Sequence, residues 1–246
     1  MSTRVLIIGA TSAIATAVAR RYAQAGARIF LVARRTEALQ ALAADLRVRG
    51  ATAAESATLD ANDVEHHASV LAAAWQAWGG FDHALVAHGV LPDQPECERN
   101  VAAALASFDT NARSVLALAT DLANRFEQQG AGALALLSSP AGDRGRQSNY
   151  VYGAAKATVT VLAAGLRHRL ASKGVRVITV LPGFVDTPMT AAFKKGPLWA
   201  TPDKVAADIE RALHGGFGAV YTPWFWRWIM LIIRHVPERI FIRTRL

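Results

Sequence analysis

Short apolar runs rich in Val, Ile and Leu alternate along the chain with longer Ala-rich stretches that have helical spacing. The runs VLIIG, IFLVA and LALLS are nearly continuous hydrophobics, which is typical of parallel strands covered by helices on both faces. Because crossovers between parallel strands are right-handed, this alternation predicts an α/β fold, a single doubly wound Rossmann domain with a parallel sheet of about seven strands. The predicted strands are Arg4 to Gly9, Arg28 to Ala33, Ala53 to Leu59, His83 to Ala87, Ala133 to Ser138, Val175 to Leu181 and Ala219 to Tyr221.

Length and composition are consistent with one domain. The chain has 246 residues, 52% of them hydrophobic, and no repeat or linker divides it, so we expect residues 1–222 as the α/β body and residues 223–246 as an aromatic and basic tail of the same domain. Cys97 is the single cysteine and the chain opens without a signal-peptide pattern, which favours a cytoplasmic location. The net charge is +8, but without a helix-turn-helix, zinc-finger or RNA-binding signature we expect no nucleic-acid partner.

The loop after the first strand runs Gly9-Ala10-Thr11-Ser12-Ala13-Ile14-Ala15 and opens a helix. Amide groups and the positive dipole end of a helix can hold a pyrophosphate. The candidate cofactor-binding residues here are Gly9, Thr11, Ser12, Ala13 and Ile14. Alanine stands at positions 13 and 15, where a dinucleotide fingerprint has glycine, so the alternative is an ordinary turn in which Ser12 caps the helix.

The second strand ends in Ala33-Arg34-Arg35, at the position where NAD-binding sheets present an acid to the ribose hydroxyls. No acid is present, and a guanidinium group can hold a 2′-phosphate in a bidentate fork. Arg34 and Arg35 therefore favour NADP, as NADPH, over NAD. The alternative is that both arginines only solvate the start of the next helix.

The segment Tyr152-Gly153-Ala154-Ala155-Lys156 places a phenol and an ammonium group four residues apart, on one side of a helix. A phenol with a pKa near 10 needs an adjacent cation to act as an acid or base at neutral pH, and Lys156 would supply it. Ser139 closes the fifth strand, and Asn111 lies in the preceding helix. These four polar side chains are predicted to converge at one edge of the sheet; the alternative is a tyrosine and a lysine on an ordinary amphipathic helix.

With these motifs in this order, the sequence resembles the short-chain dehydrogenase/reductase family over nearly all of its length. The resemblance implies an NAD(P)-binding domain over residues 1–222 and a catalytic tetrad of Asn111, Ser139, Tyr152 and Lys156. It implies that Tyr152 donates a proton to a substrate carbonyl oxygen that Ser139 orients. Lys156 would lower the pKa of the tyrosine and hold the nicotinamide ribose, and Asn111 would position a water in a proton relay.

The resemblance also implies cofactor contacts outside the tetrad. Asp60 would touch adenine after the third strand, and Gly89 would line the cofactor after the fourth. The segment Pro182-Gly183-Phe184-Val185-Asp186-Thr187 looks like the nicotinamide-side loop of the family. Its expected contact residues are Pro182, Gly183, Val185 and Thr187.

Two histidine positions need separate interpretation. The sequence has Val86-Ala87-His88-Gly89 where the family has Asn-Asn-Ala-Gly, and we interpret His88 as a structural histidine bonded to backbone, with a catalytic role as the alternative. The pair His66-His67 has no acid or cysteine at ligand spacing, so we expect no metal site.

A narrower resemblance concerns the second half of the chain. Segments 138–144, 148–152, 227–230 and 234–237 are similar to reductases that convert decaprenylphosphoryl 2-keto-erythro-pentose to decaprenylphosphoryl arabinose. This resemblance implies a lipid-linked 2-keto sugar as the carbonyl substrate. The alternatives are a soluble ketone or acyl reductase and a non-catalytic dinucleotide-binding regulatory module.

The tail interleaves aromatic and aliphatic residues with Arg227, Arg234, Arg239, Arg243 and Arg245. Its apolar stretch is too short to cross a bilayer, which takes about 20 apolar residues. Rings beside arginines favour a peripheral contact with the headgroup interface at the inner face of the membrane. The alternatives are a lid over the substrate pocket and a subunit interface, and we expect the protein to form a homo-oligomer.

Overall fold

In the computed structural model, which describes residues 2–244, seven parallel strands form one sheet. In chain order they are β1 (Arg4–Ile8), β2 (Arg28–Ala33), β3 (Ala53–Thr58), β4 (His83–Val86), β5 (Gly132–Leu137), β6 (Val175–Pro182) and β7 (Gly218–Thr222). Their order across the sheet is β3-β2-β1-β4-β5-β6-β7. All the predicted strands are present, although Gly9, Leu59, Ala87 and Ser138 lie just beyond the strands they were expected to end. The predicted fold class is confirmed.

Helices follow the strands along the described chain. They are α1 (Ala13–Gln24), α2 (Thr36–Val48), α3 (His67–Trp78), α4 (Gln94–Arg99), α5 (Val101–Phe108), α6 (Ser114–Gln129), α7 (Tyr150–Leu170), α8 (Pro202–Gly215), α9 (Trp226–His235) and α10 (Glu238–Phe241). Alternate residues of β1 enter different apolar layers: Val5 and Ile7 lie under α1, α2 and α8, and Leu6 and Ile8 lie under α3, α6 and α7. Because both faces are covered, central strands contain few polar residues.

The sheet reverses its strand order at β1, which pairs with β2 on one side and with β4 on the other. In such sheets ligands bind beyond the carboxyl ends of the strands at this reversal, so the loops after β1 and β4 border the expected crevice. A π-helical turn, Asp109–Arg113, joins α5 to α6. Asn111 lies in this turn and not in a regular α-helix as expected, and π-helical turns are frequent at functional sites.

The tail packs on the α/β body through the buried side chains of Trp226, Met230 and Phe241. Its first helix, α9, follows β7 closely, and α10 comes after a break at Val236 and Pro237. The end of the predicted tail, Arg245 and Leu246, lies outside the described residues. Within residues 2–244, every helix is too short or too polar to cross a membrane.

Candidate active site

Gly9 opens the first crevice loop with a left-handed backbone, φ 77°. A Cβ placed on this residue would lie 2.5 Å from the backbone nitrogen of His88, so both the conformation and the close approach of the neighbouring loop require glycine. Ala13 and Ala15, by contrast, belong to α1 and have no positive φ. Alanine is therefore compatible with the backbone at these two positions.

Ser12 caps α1: its side chain accepts a hydrogen bond from the Ala15 amide at 3.3 Å. The capping turn that was the alternative to a nucleotide loop is thus present, and it is compatible with phosphate binding because a helix start has further amide groups without intrahelical acceptors. Thr11, Ser12, Ala13 and Ile14 are all partly accessible at this point. This end of α1 can hold an anion.

Arg34 and Arg35 follow β2 and are exposed. Arg35 occupies the N-cap position of α2, but its side chain makes no capping hydrogen bond. Within residues 2–244, the ion pairs involve neither guanidinium group. Both cations can therefore bind an anion such as a phosphate.

Asp60 lies just beyond β3 with an exposed side chain, and its carboxylate accepts a hydrogen bond from the Asn62 amide at 2.9 Å. Asn62 in turn donates through Nδ2 to Thr110 Oγ1 at 2.9 Å. The loop that carries Asp60 is therefore connected to the π-helical turn, one residue before Asn111.

Helix α7 carries Tyr152 and Lys156 on the same side. The Lys156 Nζ atom lies 5.6 Å from the centre of the Tyr152 ring and donates a hydrogen bond to the Leu137 carbonyl at 3.0 Å. Lys156 is buried, and Leu137 is the last residue of β5. The lysine is thus held between the tyrosine and the carboxyl end of the central sheet.

Ser139 follows β5 with an extended backbone, and its Oγ accepts a hydrogen bond from the Ala141 amide at 3.2 Å. A Cβ on Gly153 would lie 2.8 Å from the Ala141 carbonyl oxygen, so glycine at this position of α7 permits close packing on the serine turn. Ser139 lies close enough to Tyr152 for its side chain to lower the pKa of the phenol. The structure therefore brings Ser139 and Tyr152 to the same place beyond β5.

Asn111 is completely buried, and its amide fixes the loop after β4. Its Nδ2 donates to the carbonyls of Val90 at 2.9 Å and Ser107 at 3.0 Å, and its Oδ1 accepts from the Val90 amide at 3.1 Å. A Cβ on Gly89 would lie 2.7 Å from Asn111 Oδ1 and 3.5 Å from Lys156 Nζ. The loop therefore brings Asn111 and Lys156 close together, with Gly89 between them.

Burial shifts the two titratable members of the tetrad in opposite directions. It raises the pKa of Tyr152 to about 12, although the Ser139 side chain acts to lower it, and it lowers the pKa of Lys156 to about 8. The pKa of Tyr152 is thus raised and not lowered as expected, because loss of water around the phenol has the larger effect. The arrangement presents a protonated phenol, which can donate a proton to an oxygen atom in the crevice.

His88 bonds a side chain and not the backbone, which corrects the expectation from sequence. Its Nε2 lies 2.7 Å from Ser114 Oγ, and Ser114 donates its own proton to the Thr110 carbonyl at 2.8 Å. The hydroxyl must therefore accept from a protonated Nε2. Burial lowers the pKa of His88 to about 3, with Lys156 as a further contribution, so the ring is neutral.

The predicted nicotinamide-side loop begins where β6 ends at Pro182. Gly183 lies against the indole of Trp226, so any larger residue there would overlap the first turn of α9. Val185 is buried, and Thr187 forms a capping box with Thr190. The loop is thereby fixed at the crevice edge and in contact with the tail.

Sequence reasoning did not identify Ser114 or the residues that hold the tail. Ser114 lies three residues after Asn111, a spacing that could have suggested a shared helix face. In the tail, Arg144 donates hydrogen bonds to the carbonyls of Ile233 and Val236 and to the Glu238 carboxylate. Arg146 donates to the sulfur of Met230. No local pattern indicates such long-range partners.

Within residues 2–244, no group of three or more His, Cys, Asp or Glu side chains is placed to bind a metal ion.

The family model described as short chain dehydrogenase matches residues 3–197. The chain belongs to this family. An uncharacterized oxidoreductase of Mycobacterium tuberculosis is 38% identical over 239 residues, which cover 97% of this chain and 96% of the relative. Sulfoacetaldehyde reductase 2 of Chromohalobacter salexigens is 35% identical over 210 residues, which cover 85% of this chain and 80% of that enzyme.

The fold of this short-chain dehydrogenase is shared by solved structures. A variant of actinorhodin polyketide ketoreductase, solved with NADPH, superposes with a TM-score of 0.80 at 24% identity, and the match covers 89% of this chain and 95% of the ketoreductase. Family membership and these oxidoreductase relatives make the chain an NAD(P)-dependent oxidoreductase.

Proposed function

We propose that this short-chain dehydrogenase is an NADPH-dependent carbonyl reductase. The observation that carries the proposal is the placement of the Tyr152 phenol, with the Lys156 ammonium group 5.6 Å from its ring centre and Ser139 close by. Reduction of a carbonyl requires a proton for the oxygen atom, and a phenol that stays protonated at neutral pH supplies it.

The crevice residues fit NADPH. Gly9 allows the left-handed turn that leads into α1, the start of α1 offers amide groups to a pyrophosphate, and Arg34 and Arg35 offer two cations to a 2′-phosphate. The remaining proposed contacts are Thr11, Ser12, Ala13, Ile14, Asp60, Gly89, Pro182, Gly183, Val185 and Thr187. When bound, the cofactor supplies a hydride to the substrate carbon.

The side chains of the tetrad have separate roles in this proposal. Tyr152 gives its phenolic proton to the carbonyl oxygen, which the Ser139 hydroxyl holds in place. Lys156 stabilises the phenolate that remains and binds the nicotinamide ribose. Asn111 has used both amide hydrogens on the carbonyls of Val90 and Ser107, so it joins a proton relay only through Oδ1.

Two measurements test this proposal. Equilibrium titration by nucleotide fluorescence should show tighter binding of NADPH than of NADH. NADPH oxidation is then followed with small aldehydes, including sulfoacetaldehyde, and with ketones and β-keto thioesters. Turnover of one of these carbonyls is the expected result. Tight NADPH binding without turnover of any carbonyl would favour the regulatory-module alternative.

A lipid-linked 2-keto sugar is a second candidate substrate, favoured by the surface between β7 and α9. Tyr221, Arg227, Trp228 and Arg234 line a depression there, so rings and guanidinium groups stand side by side. Such a surface suits an anionic head with an apolar tail. The test compares kcat/KM for a water-soluble 2-keto sugar and for its polyprenyl-phosphate-linked form; equal values would remove this candidate.

We also propose a homo-oligomer, supported by exposed apolar side chains on neighbouring helices. Leu105, Leu116 and Val161 are exposed on α5, α6 and α7. Light scattering of the wild type and of Leu116→Glu/Val161→Glu should show a smaller particle for the variant. A monomeric wild type would contradict this proposal.

A cytoplasmic location stays a prediction.

A further inference from the structure

The tail helices have one buried and one exposed apolar side. In α9, Trp226 and Met230 lie one turn apart and are buried, whereas Ile232 is 68% exposed and Trp228 is 56% exposed. Other exposed apolar residues are Leu231 in the same helix, Trp224 before it, and Ile240 and Ile242 after it. Large apolar groups gathered on a surface in this way indicate an interaction site.

The buried side of the tail is firmly attached to the loop that follows Ser139. Arg144 donates hydrogen bonds to the carbonyls of Ile233 and Val236, both at 2.6 Å, and forms an ion pair with Glu238 at 2.8 Å. Its guanidinium carbon also lies 3.8 Å from the centre of the Phe241 ring. The exposed side is therefore presented by a fixed element and not by a loose extension.

The charge of this surface is one-sided. Residues 223–244 contain Arg227, Arg234, Arg239 and Arg243, and Glu238 is the only acid among them. Glu238 is already paired with Arg144 of the body, while Arg234 lines the same depression as Tyr221, whose hydroxyl donates to Asp143 at 2.7 Å. A partner for this surface should accordingly offer both an apolar environment for the exposed side chains and negative charge for the arginines.

We propose that α9 and α10 dock this protein on an anionic lipid bilayer. Trp224, Ile232 and Ile240 enter the headgroup boundary, and the arginines meet lipid phosphates. A second copy of the chain fits less well, since a two-fold contact would place the same arginines against each other. A nucleic acid would satisfy the arginines but leave the aliphatic side chains without an apolar environment. This inference does not depend on the proposed reductase activity.

The test is flotation of the full chain with vesicles of phosphatidylcholine, alone or mixed with phosphatidylglycerol. We expect flotation with the mixed vesicles only, and weaker flotation at high salt because salt screens the arginines. Ile232→Glu/Ile240→Glu should lower the bound fraction about tenfold or more, since two apolar groups leave the interface. Arg239→Glu/Arg243→Glu should lower it as well.

Matched controls place the same changes on other surfaces. Val48→Glu/Val101→Glu alters two exposed valines, and Arg49→Glu/Arg99→Glu reverses two charges outside the tail; both should float like the wild type. Thermal unfolding establishes that each variant is folded. The proposal is overturned if the wild type does not float with mixed vesicles, or if Ile232→Glu/Ile240→Glu floats as well as the valine control. Loss of a dimer without any flotation would assign the surface to a second copy.

Discussion

The His88 ring donates to the Ser114 hydroxyl across 2.7 Å, and this bond joins the end of β4 to the first residue of α6. The Ser114 hydroxyl donates a hydrogen bond to the Thr110 carbonyl, inside the π-helical turn that holds Asn111. Gly9 lies against the backbone of His88 on the other side. The loop after β1 and the π-helical turn that holds Asn111 are therefore connected through one neutral histidine.

Ser114→Ala should destabilise the protein by about 1–3 kcal/mol, because it leaves a buried imidazole N–H without an acceptor. Urea unfolding measures the effect. Thr120→Ala is the matched control: Thr120 also donates to a carbonyl four residues earlier, that of Leu116 at 2.8 Å, but it lies on the exposed side of α6. Equal losses of stability in the two variants would contradict a special role for the His88 bond.

Tyr152→Phe should abolish carbonyl reduction while the fold and the affinity for NADPH stay nearly unchanged, since only the proton donor is removed. Positioned proton transfer contributes about 10²–10⁴-fold to a rate, and a loss in this range or larger is expected in kcat. Tyr150→Phe is the control, because Tyr150 is exposed two residues earlier on α7. Substantial NADPH oxidation by Tyr152→Phe with a substrate of the wild type would contradict the mechanism.

The fold could be predicted from sequence because strands that are buried on both faces have nearly continuous apolar sequences. In β1, the residues alternate between two covered layers, so none of Val5 to Ile8 needs to be polar. The spacing of Tyr152 and Lys156 likewise gave their shared side of α7, since helical geometry is local.

The rest of the site depends on packing between distant segments. Arg144 meets Glu238 across 94 positions of sequence, and His88 meets Ser114 across 26. The pKa of Tyr152 shows the same limit: sequence placed a cation near the phenol, but only the structure shows that burial has the larger effect and raises the pKa. The spacing of two residues on one helix shows that they are close, whereas the burial of a residue depends on segments distant in sequence.

Arg34→Ala should weaken NADPH binding by about 1–3 kcal/mol and leave NADH binding nearly unchanged, because only NADPH carries the 2′-phosphate. Titration of both nucleotides measures the difference. Arg49→Ala removes an exposed arginine at the other end of α2 and should change neither affinity. Equal weakening of both nucleotides by Arg34→Ala, or none, would contradict the assignment of NADPH.

The pH dependence of kcat/KM for NADPH should reflect the titration of Lys156. Burial lowers the pKa of Lys156 from 10.5 to about 8, so the lysine is charged below about pH 8 and loses its proton as the pH rises through that value. If its ammonium group binds the ribose, kcat/KM for NADPH, which reports the free enzyme, should fall above about pH 8. Lys156→Arg should move this fall out of the measured range, because a guanidinium group keeps its charge.

The same shift has the opposite effect on folding. The unfolded chain binds a proton at Lys156 more tightly than the folded chain, so this residue destabilises the fold below about pH 8, and that cost disappears as the pH rises towards 10.5. Urea unfolding of the wild type and of Lys156→Met, compared at neutral and alkaline pH, measures the contribution. The wild type should gain stability relative to the methionine variant as the pH rises, while its kcat/KM for NADPH falls. A parallel rise or fall of both quantities would mean that another group controls one of them, and that Lys156 is not the residue that titrates near pH 8.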